Sequence, residues 1–145
     1  MTTDEIAVQK LVEGYNCAQA VLFVSSDDFG LDRTTAVKLA SGFGAGMGRK
    51  GEVCGALTGG IIALGARYGR GEHDDRTATE QAYAKTRDLI DRFQSTHGTV
   101  LCRELLNGCD LTTPEGQQYF KENDLINTVC KKCVRSVVLS VQDML

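Results

Sequence analysis

Apolar residues along the chain recur mainly every three or four positions, as on one face of an α-helix. The first apolar stripe ends before Gly14 and consists of Ile6, Val8, Leu11 and Val12. Glycine in that place is typical of a helix C-terminus. A second stripe follows Asn16 and continues toward Gly30, and a third follows Asp32; both Asn and Asp are preferred N-cap residues. The pattern therefore predicts three helices in the first 41 residues.

Residues 42–51 interrupt this pattern, because they contain too many glycines for regular structure. A fourth helix is predicted over residues 52–67, where Ile61, Ile62 and Leu64 are apolar. Gly55 and Gly59 are four positions apart, a spacing that lets a second backbone approach closely. We expect this segment to be a buried central helix preceded by a glycine-rich loop.

The second half of the chain predicts further helices and no convincing pair of strands. A longer polar helix begins at Asp74 or Asp75 and ends near residue 96, and a short helical piece covers residues 101–106. Pro114 suits the first position of another short helix, and Asn127 or Thr128 caps the last one. The predicted fold is all-α, a compact bundle of five or more helices in a single domain over residues 1–145.

Composition and charge exclude several classes of function. The 145 residues include 16 basic and 19 acidic ones, a formal net charge of -3, so no overall field attracts nucleic acid or an anionic membrane. The longest apolar stretch, 53–66, is shorter than the roughly 18 to 20 residues of a membrane span. The N-terminus has neither the basic nor the apolar part of an export signal, so we expect a cytoplasmic protein.

Six cysteines are unusual in a protein that we expect to be cytoplasmic, because a reducing compartment disfavours structural disulfides. With the predicted boundaries, four of them fall in the first turns of helices: Cys17, Cys54, Cys102 and Cys130. Free N–H groups and the helix dipole stabilise a thiolate at such a place. Basic residues adjoin three of the four in sequence: Arg49, Lys50, Arg103, Lys131 and Lys132. We therefore expect lowered thiol pKa values in one electropositive site.

Cys130 and Cys133 form a C-x-x-C pair, which suits either a redox dithiol or half of a metal site. No second C-x-x-C lies at the distance typical of zinc ribbons. Thiolates from separate helices can instead hold an iron–sulfur cluster, because cluster ligation requires convergence in space only. The candidate ligands are Cys17, Cys54, Cys102, Cys130 and Cys133; an iron–sulfur cluster, zinc or no cofactor are the alternatives.

Residues 46–51 match G-x-G-x-x-G, but they follow a predicted helix and no β-α-β unit surrounds them, which argues against a dinucleotide site. Glycines there let the backbone pass close to Cys54 or to an attached cofactor. The candidate cofactor-contacting residues are Gly48, Gly51 and Gly55.

The segment Cys54 to Gly59 reads Cys-Gly-Ala-Leu-Thr-Gly, and the chain also carries Asn-Cys-Ala-Gln-Ala-Val from Asn16. Together with the glycine-rich loop, these motifs resemble a bacterial and archaeal family of redox-active proteins with a Cys-Gly-Ala-x-x-Gly hallmark. The resemblance covers nearly the whole chain and implies four characteristic cysteines, matched by Cys17, Cys54, Cys102 and Cys130. Cys109 and Cys133 are additions to these four, so Cys130 and Cys133 both remain candidates for the fourth role.

We therefore expect a redox-active protein whose catalytic residues are Cys17, Cys54, Cys102 and Cys130. They would act in electron transfer through an iron–sulfur cluster or in thiol/disulfide exchange with a redox partner of unknown identity. One alternative is a structural zinc site in a protein with another function. Another is a non-catalytic helical interaction module, expected as a homodimer.

Overall fold

The computed structural model describes all residues, 1–145, and confirms the all-α class. Eight α-helices follow one another along the chain: α1 (Thr3–Val12), α2 (Cys17–Ser25), α3 (Arg33–Ala40), α4 (Gly55–Tyr68), α5 (Arg76–His97), α6 (Cys102–Leu105), α7 (Pro114–Glu122) and α8 (Lys131–Met144). Short 3-10 turns follow α2 and α3, and a π-helical turn, Ile126–Cys130, leads directly into α8.

Side-chain caps fix most of the helix starts that the sequence predicts. Asn16 accepts the N–H of Gln19 at 2.9 Å, and the Gln19 side chain accepts the N–H of Asn16 in return. Asp32 accepts the N–H of Thr35 at the start of α3, and Thr113 accepts the N–H of Gly116 at the start of α7. These local bonds explain why the predicted starts are confirmed to within about a residue.

Two predicted boundaries are wrong, and both concern cysteines. Helix α4 begins at Gly55 and not at residue 52, so Cys54 is its N-cap residue. The last helix does not begin at an Asn127 or Thr128 cap, because both side chains bond back to Asp124 from within the preceding turn. Cys130 therefore lies at the junction between the π-helical turn and α8, well inside a continuous helical segment.

Helix α4 is the buried central helix that the sequence predicts. It packs against α2, α5 and α8, while α1 packs against α2 and α8. Leu57 and Leu64 of α4 are each 1 % exposed. They belong to a core completed from α5 by Leu89 and Phe93, and from α8 by the valine side chains of the face turned inward.

The close approach predicted from Gly55 and Gly59 is confirmed. A Cβ atom on Gly59 would lie 3.0 Å from the carbonyl oxygen of Ala18, and one on Gly55 would lie 3.3 Å from the Ala18 nitrogen. The two glycines therefore let α2 and α4 lie with their backbones nearly in contact. Because Cys17 starts α2 and Cys54 caps α4, this packing places the two cysteines side by side.

The glycine-rich segment between α3 and α4 has an uncommon backbone. Every residue from Ala45 to Arg49 has a positive φ, from 53° to 71°, so the chain makes a short left-handed turn. A non-glycine residue in this region costs on the order of 1–2 kcal/mol, which tertiary contacts must offset. The turn closes through the N–H of Glu52, which donates to the Gly46 carbonyl at 2.9 Å.

No strand is present, but one isolated bridge joins Val53 to Leu101. The N–H of Cys54 donates to the Val100 carbonyl at 2.8 Å, and the N–H of Cys102 donates to the Glu52 carbonyl at 2.7 Å. This bridge fixes the start of α6 beside the start of α4. No helix of the structure combines the length and the apolar character that a membrane crossing requires.

Candidate functional site

Five of the six cysteines line one cavity of about 120 Å³ at the meeting point of the helix ends. They are Cys17, Cys54, Cys102, Cys130 and Cys133. The sixth, Cys109, lies outside the cavity, where its buried thiol donates to the Gly116 carbonyl at 3.1 Å. All six are free thiols. The four cysteines predicted as catalytic, and Cys133 with them, are therefore neighbours in space.

Four helical segments position these five sulfur atoms, if the π-helical turn and α8 are counted as one continuous segment. Cys17 is the first residue of α2, Cys54 caps α4, and Cys102 is the first residue of α6. Cys130 ends the π-helical turn and Cys133 lies in the first turn of α8. The α2–α4 packing and the Val53–Leu101 bridge position the first three cysteines, and the packing of α8 on α1 and α4 positions the other two.

The thiols of the cavity influence one another's pKa values, most strongly within two pairs. The thiol of Cys17 interacts with that of Cys130, and the thiol of Cys54 with that of Cys133. Cys102 is not part of either pair but is close enough for its charge to affect Cys133. The strongest partner of Cys133 is thus Cys54, although Cys130 of the same C-x-x-C motif also raises the pKa of Cys133.

The remaining wall of the cavity is apolar. Its side chains come from α1, from α6 and the loop after it, from α7 and from the π-helical turn before α8, and include Leu11, Leu105, Leu106, Leu111, Phe120, Ile126 and Val129. Sequence reasoning missed these residues, because nothing in the sequence distinguishes them from ordinary core positions. No Lys or Arg lines the cavity, so the expectation of an electropositive site is wrong. Long basic side chains keep their charged ends in water and leave the thiols in a hydrocarbon environment.

The predicted lowering of the thiol pKa holds for Cys54. Its interaction with Cys133 lowers the pKa of Cys54, and the backbone N–H groups of Ala56 and Leu57 lower it further, against the effect of burial. These are the N–H groups of the first turn of α4, although neither forms a short capping bond to the sulfur. Cys54 is therefore the thiol of the cavity for which the structure favours the thiolate.

The pKa values of three other thiols in or beside the first turns of helices are raised. The interaction with Cys130, together with burial, raises the pKa of Cys17 well above its usual value. The interaction with Cys54 and burial raise the pKa of Cys133. Burial raises the pKa of Cys102 to about 12, and Arg103 opposes this only weakly. The prediction failed because desolvation and neighbouring thiolates outweigh the partial charge of a helix end.

The three glycines expected near a cofactor lie in different places. Gly55 lines the cavity, where a Cβ would come 3.4 Å from the Cβ of Cys17. Gly48 lies outside the cavity, in a polar surface groove beside Arg49. Gly51 has a φ of 72° and packs against the Arg103 side chain.

Gly46 lines the cavity as well, although the sequence analysis did not single it out. A Cβ there would lie 2.8 Å from the Cβ of Cys102 and 2.6 Å from the nitrogen of Glu52. Gly46 is the first glycine of the G-x-G-x-x-G match, and that position is the sequence signal that could have identified it. The close approach of backbone to a cysteine, expected of this loop, thus involves Gly46 and Cys102.

The donor atoms suit an iron–sulfur cluster in type, because such clusters are held by cysteine thiolates. No three His, Cys, Asp or Glu side chains are grouped as they would be to hold a single metal ion.

The fold and the site together define a class: an all-α protein with free thiols gathered in one apolar cavity. Residues 15–144 match the family model described as "Putative redox-active protein (C_GCAxxG_C_C)". The chain belongs to this family, as its motifs predicted. No curated protein and no solved structure shows significant similarity to it.

Proposed function

We propose that this redox-active protein works by reversible thiol/disulfide exchange in the cysteine-lined cavity. The observation that carries the proposal is that five free thiols line one cavity, where Cys130 has the largest effect on the pKa of Cys17 and Cys133 the largest effect on that of Cys54. Thiols gathered in one small cavity need little movement to form a disulfide.

Cys54 is suited to act as the nucleophile, because the thiolate and not the thiol attacks a disulfide. The first-turn N–H groups and the Cys133 thiol favour that form. In the net reaction two protein thiols lose two electrons and two protons and become a disulfide. The acceptor is a disulfide in a small molecule or a partner protein, which is reduced to two thiols.

The test is a count of free thiols in purified protein before and after dithiothreitol. We expect protein oxidised with glutathione disulfide to lose thiols in pairs and dithiothreitol to restore them, with a midpoint that a glutathione redox buffer can measure. Cys109→Ser is the matched control, because Cys109 lies outside the cavity and should leave this behaviour unchanged. A thiol count that stays constant across all redox buffers contradicts the proposal.

The second candidate function is electron transfer through an iron–sulfur cluster, favoured by the apolar cavity and by Cys102 as a further thiol on its wall. Cys17, Cys54, Cys102 and Cys130 would hold the cluster, which supplies one-electron chemistry when bound. Anaerobically purified protein would then be brown and contain iron in stoichiometric amount. Stoichiometric zinc in the same elemental analysis would instead support the structural zinc alternative.

A further inference from the structure

The cavity that the five cysteines line is small and almost entirely apolar. Of its 16 lining residues 13 are hydrophobic, and the other three are Asn16, Gly46 and Gly55. Cysteine is the only titratable residue type among them. A molecule inside the cavity would therefore touch hydrocarbon and sulfur, and no Lys, Arg, Asp or Glu side chain would balance a charge that it carried.

The one polar side chain on the wall, that of Asn16, is engaged within the protein. Its oxygen accepts the N–H of Gln19 at 2.9 Å, and its nitrogen donates to the Ser41 carbonyl at 3.0 Å. No buried side-chain nitrogen or oxygen is left without a hydrogen-bond partner, so no polar side chain is held in reserve for a polar ligand. A charged group in the cavity would lose its hydration without compensation.

The volume of about 120 Å³ sets the size of an occupant. An apolar protein cavity of roughly 150 Å³ binds a molecule the size of benzene. Leu106 and Leu111 of the wall are buried, whereas Phe120, Ile126 and Val129 are half-buried. The apolar wall thus extends to the surface of the protein, where side-chain movements are enough to admit a molecule of this size.

We propose that the cavity takes small, uncharged dialkyl disulfides as the substrates of the exchange reaction. The inference rests on the proposed thiol/disulfide function and names its substrate class. Disulfides with charged arms, such as cystamine and glutathione disulfide, are disfavoured inside the cavity and react slowly with the thiols buried in it.

The exchange is balanced within the cavity. The Cys54 thiolate attacks one sulfur of the bound disulfide, the S–S bond breaks, and the first alkyl thiolate takes up the proton that Cys54 has lost. A second thiol of the cavity attacks the Cys54 sulfur, closes a protein disulfide and gives its proton to the second alkyl thiolate. The dialkyl disulfide gains two electrons and two protons and leaves as two alkyl thiols, which are uncharged like the substrate.

Binding in the cavity can be measured without thiol chemistry. Reduced protein is unfolded in urea with and without benzene, a neutral probe of suitable size. We expect benzene to raise the urea midpoint, because a ligand that binds only the folded state stabilises it. Val129→Phe places a larger side chain on the cavity wall and should abolish this shift. Leu139→Phe is the matched control, because Leu139 is 48 % exposed and lies outside the cavity.

Exchange is then measured at Cys54 with dimethyl disulfide, cystamine and glutathione disulfide. Samples are quenched with acid, alkylated and digested with trypsin, and the Cys54 peptide carries no other cysteine. Dividing each rate by that of the same protein unfolded in urea removes the intrinsic reactivity of the oxidant. We expect this folded-to-unfolded ratio to be roughly tenfold or more higher for dimethyl disulfide than for the two charged oxidants.

Cys109 is an internal control for access through the cavity. It is 8 % exposed, against 5 % for Cys54, but it lies outside the cavity. Its folded-to-unfolded ratio should be low with all three oxidants. Val129→Phe should lower the ratio at Cys54 for dimethyl disulfide, and Leu139→Phe should leave it unchanged. Far-ultraviolet circular dichroism establishes that both variants are folded; if Val129→Phe is not, the wild-type measurements decide.

Two results overturn the substrate class while thiol/disulfide exchange stands. One is an equal ratio at Cys54 for the neutral and the charged oxidants, and the other is a urea midpoint that benzene leaves unchanged. Failure of every oxidant to produce a protein disulfide contradicts the proposed function itself, and the benzene measurement then still reports on the cavity.

Discussion

At the scale of single residues, the environment of each sulfur decides its chemistry more than its position in the sequence does. Cys17 and Cys102 are both the first residues of helices, yet the pKa of each thiol is raised. Interaction with the Cys130 thiol and burial raise the pKa of Cys17, and burial raises the pKa of Cys102. Cys54 differs because its interaction with the Cys133 thiol lowers its pKa, and because it caps a 14-residue helix whose first N–H groups lower that pKa further. A four-residue helix such as α6 has little dipole to offer.

The raised pKa of Cys102 predicts a loss of stability in alkali. In the unfolded chain a thiol ionises near pH 8.5, whereas the pKa of Cys102 is about 12 in the folded protein. Between these values the unfolded state loses its proton first, so the free energy of unfolding falls as pH rises through this window. The urea midpoint of reduced, metal-free protein should therefore fall from pH 8 to about pH 11.

Cys102→Ala removes this contribution, so its urea midpoint should fall less steeply with pH than that of the wild type. Ionisation of tyrosines and lysines affects both proteins equally and cancels in the comparison. The lowered pKa of Cys54 acts in the opposite direction and is also common to both. Parallel pH profiles would show that Cys102 ionises as readily in the folded protein as in the unfolded chain.

At the scale of elements, the contact between α2 and α4 positions Cys17 and Cys54, and glycine makes that contact close. The sequence predicted this from the spacing of Gly55 and Gly59, and the structure confirms it at Ala18. Spacing is a local property and can be read directly from the chain. The partner helix could not be predicted, because any element with a small-residue surface would have satisfied the same pattern.

Gly55→Ala should destabilise the protein by about 1–3 kcal/mol, as expected for added volume in a well-packed interface. The new Cβ would lie 2.9 Å from the Phe43 carbonyl oxygen and 3.3 Å from the Ala18 nitrogen, and neither backbone atom can move freely. Urea unfolding monitored by circular dichroism measures the change.

Gly65→Ala is the matched control in the same helix. No atom lies within 4 Å of the Cβ position at Gly65, so alanine there should stabilise the helix by about 0.5–1 kcal/mol. Equal effects of the two substitutions would mean that α2 and α4 are not in close contact.

At the scale of the whole molecule, the cavity joins parts of the chain that are far apart in sequence. A disulfide between Cys17 and Cys130 would enclose more than 100 residues, and one between Cys54 and Cys133 would enclose nearly 80. Closing such long loops removes conformational entropy from the unfolded chain. Redox state should therefore change the stability of the protein as a whole.

Oxidised wild-type protein should be more stable toward urea than reduced protein by about 2–5 kcal/mol, the range typical of a disulfide that closes a long loop. Cys133→Ser retains Cys17 and Cys130 but removes the partner of Cys54, so it should gain less on oxidation than the wild type. The comparison requires urea midpoints with and without dithiothreitol. An unchanged midpoint after confirmed oxidation would mean that strain in the folded state cancels the entropic gain.

The sequence by itself determined the helices, most of their ends, the buried central helix and the set of cysteines that line the cavity. These features depend on caps, spacing and composition, which act within a few residues along the chain. Even the boundary errors at Cys54 and Cys130 were small, although they changed the expected surroundings of both thiols.

Only the tertiary structure decided which sulfurs meet. The bridge that brings Cys102 to Cys54, the apolar wall without a basic side chain, and the position of Cys130 and Cys133 in one cavity with cysteines of other helices all arise from contacts between distant segments. Such contacts depend on how whole helices pack and on what solvent they exclude. Local sequence patterns do not contain that information.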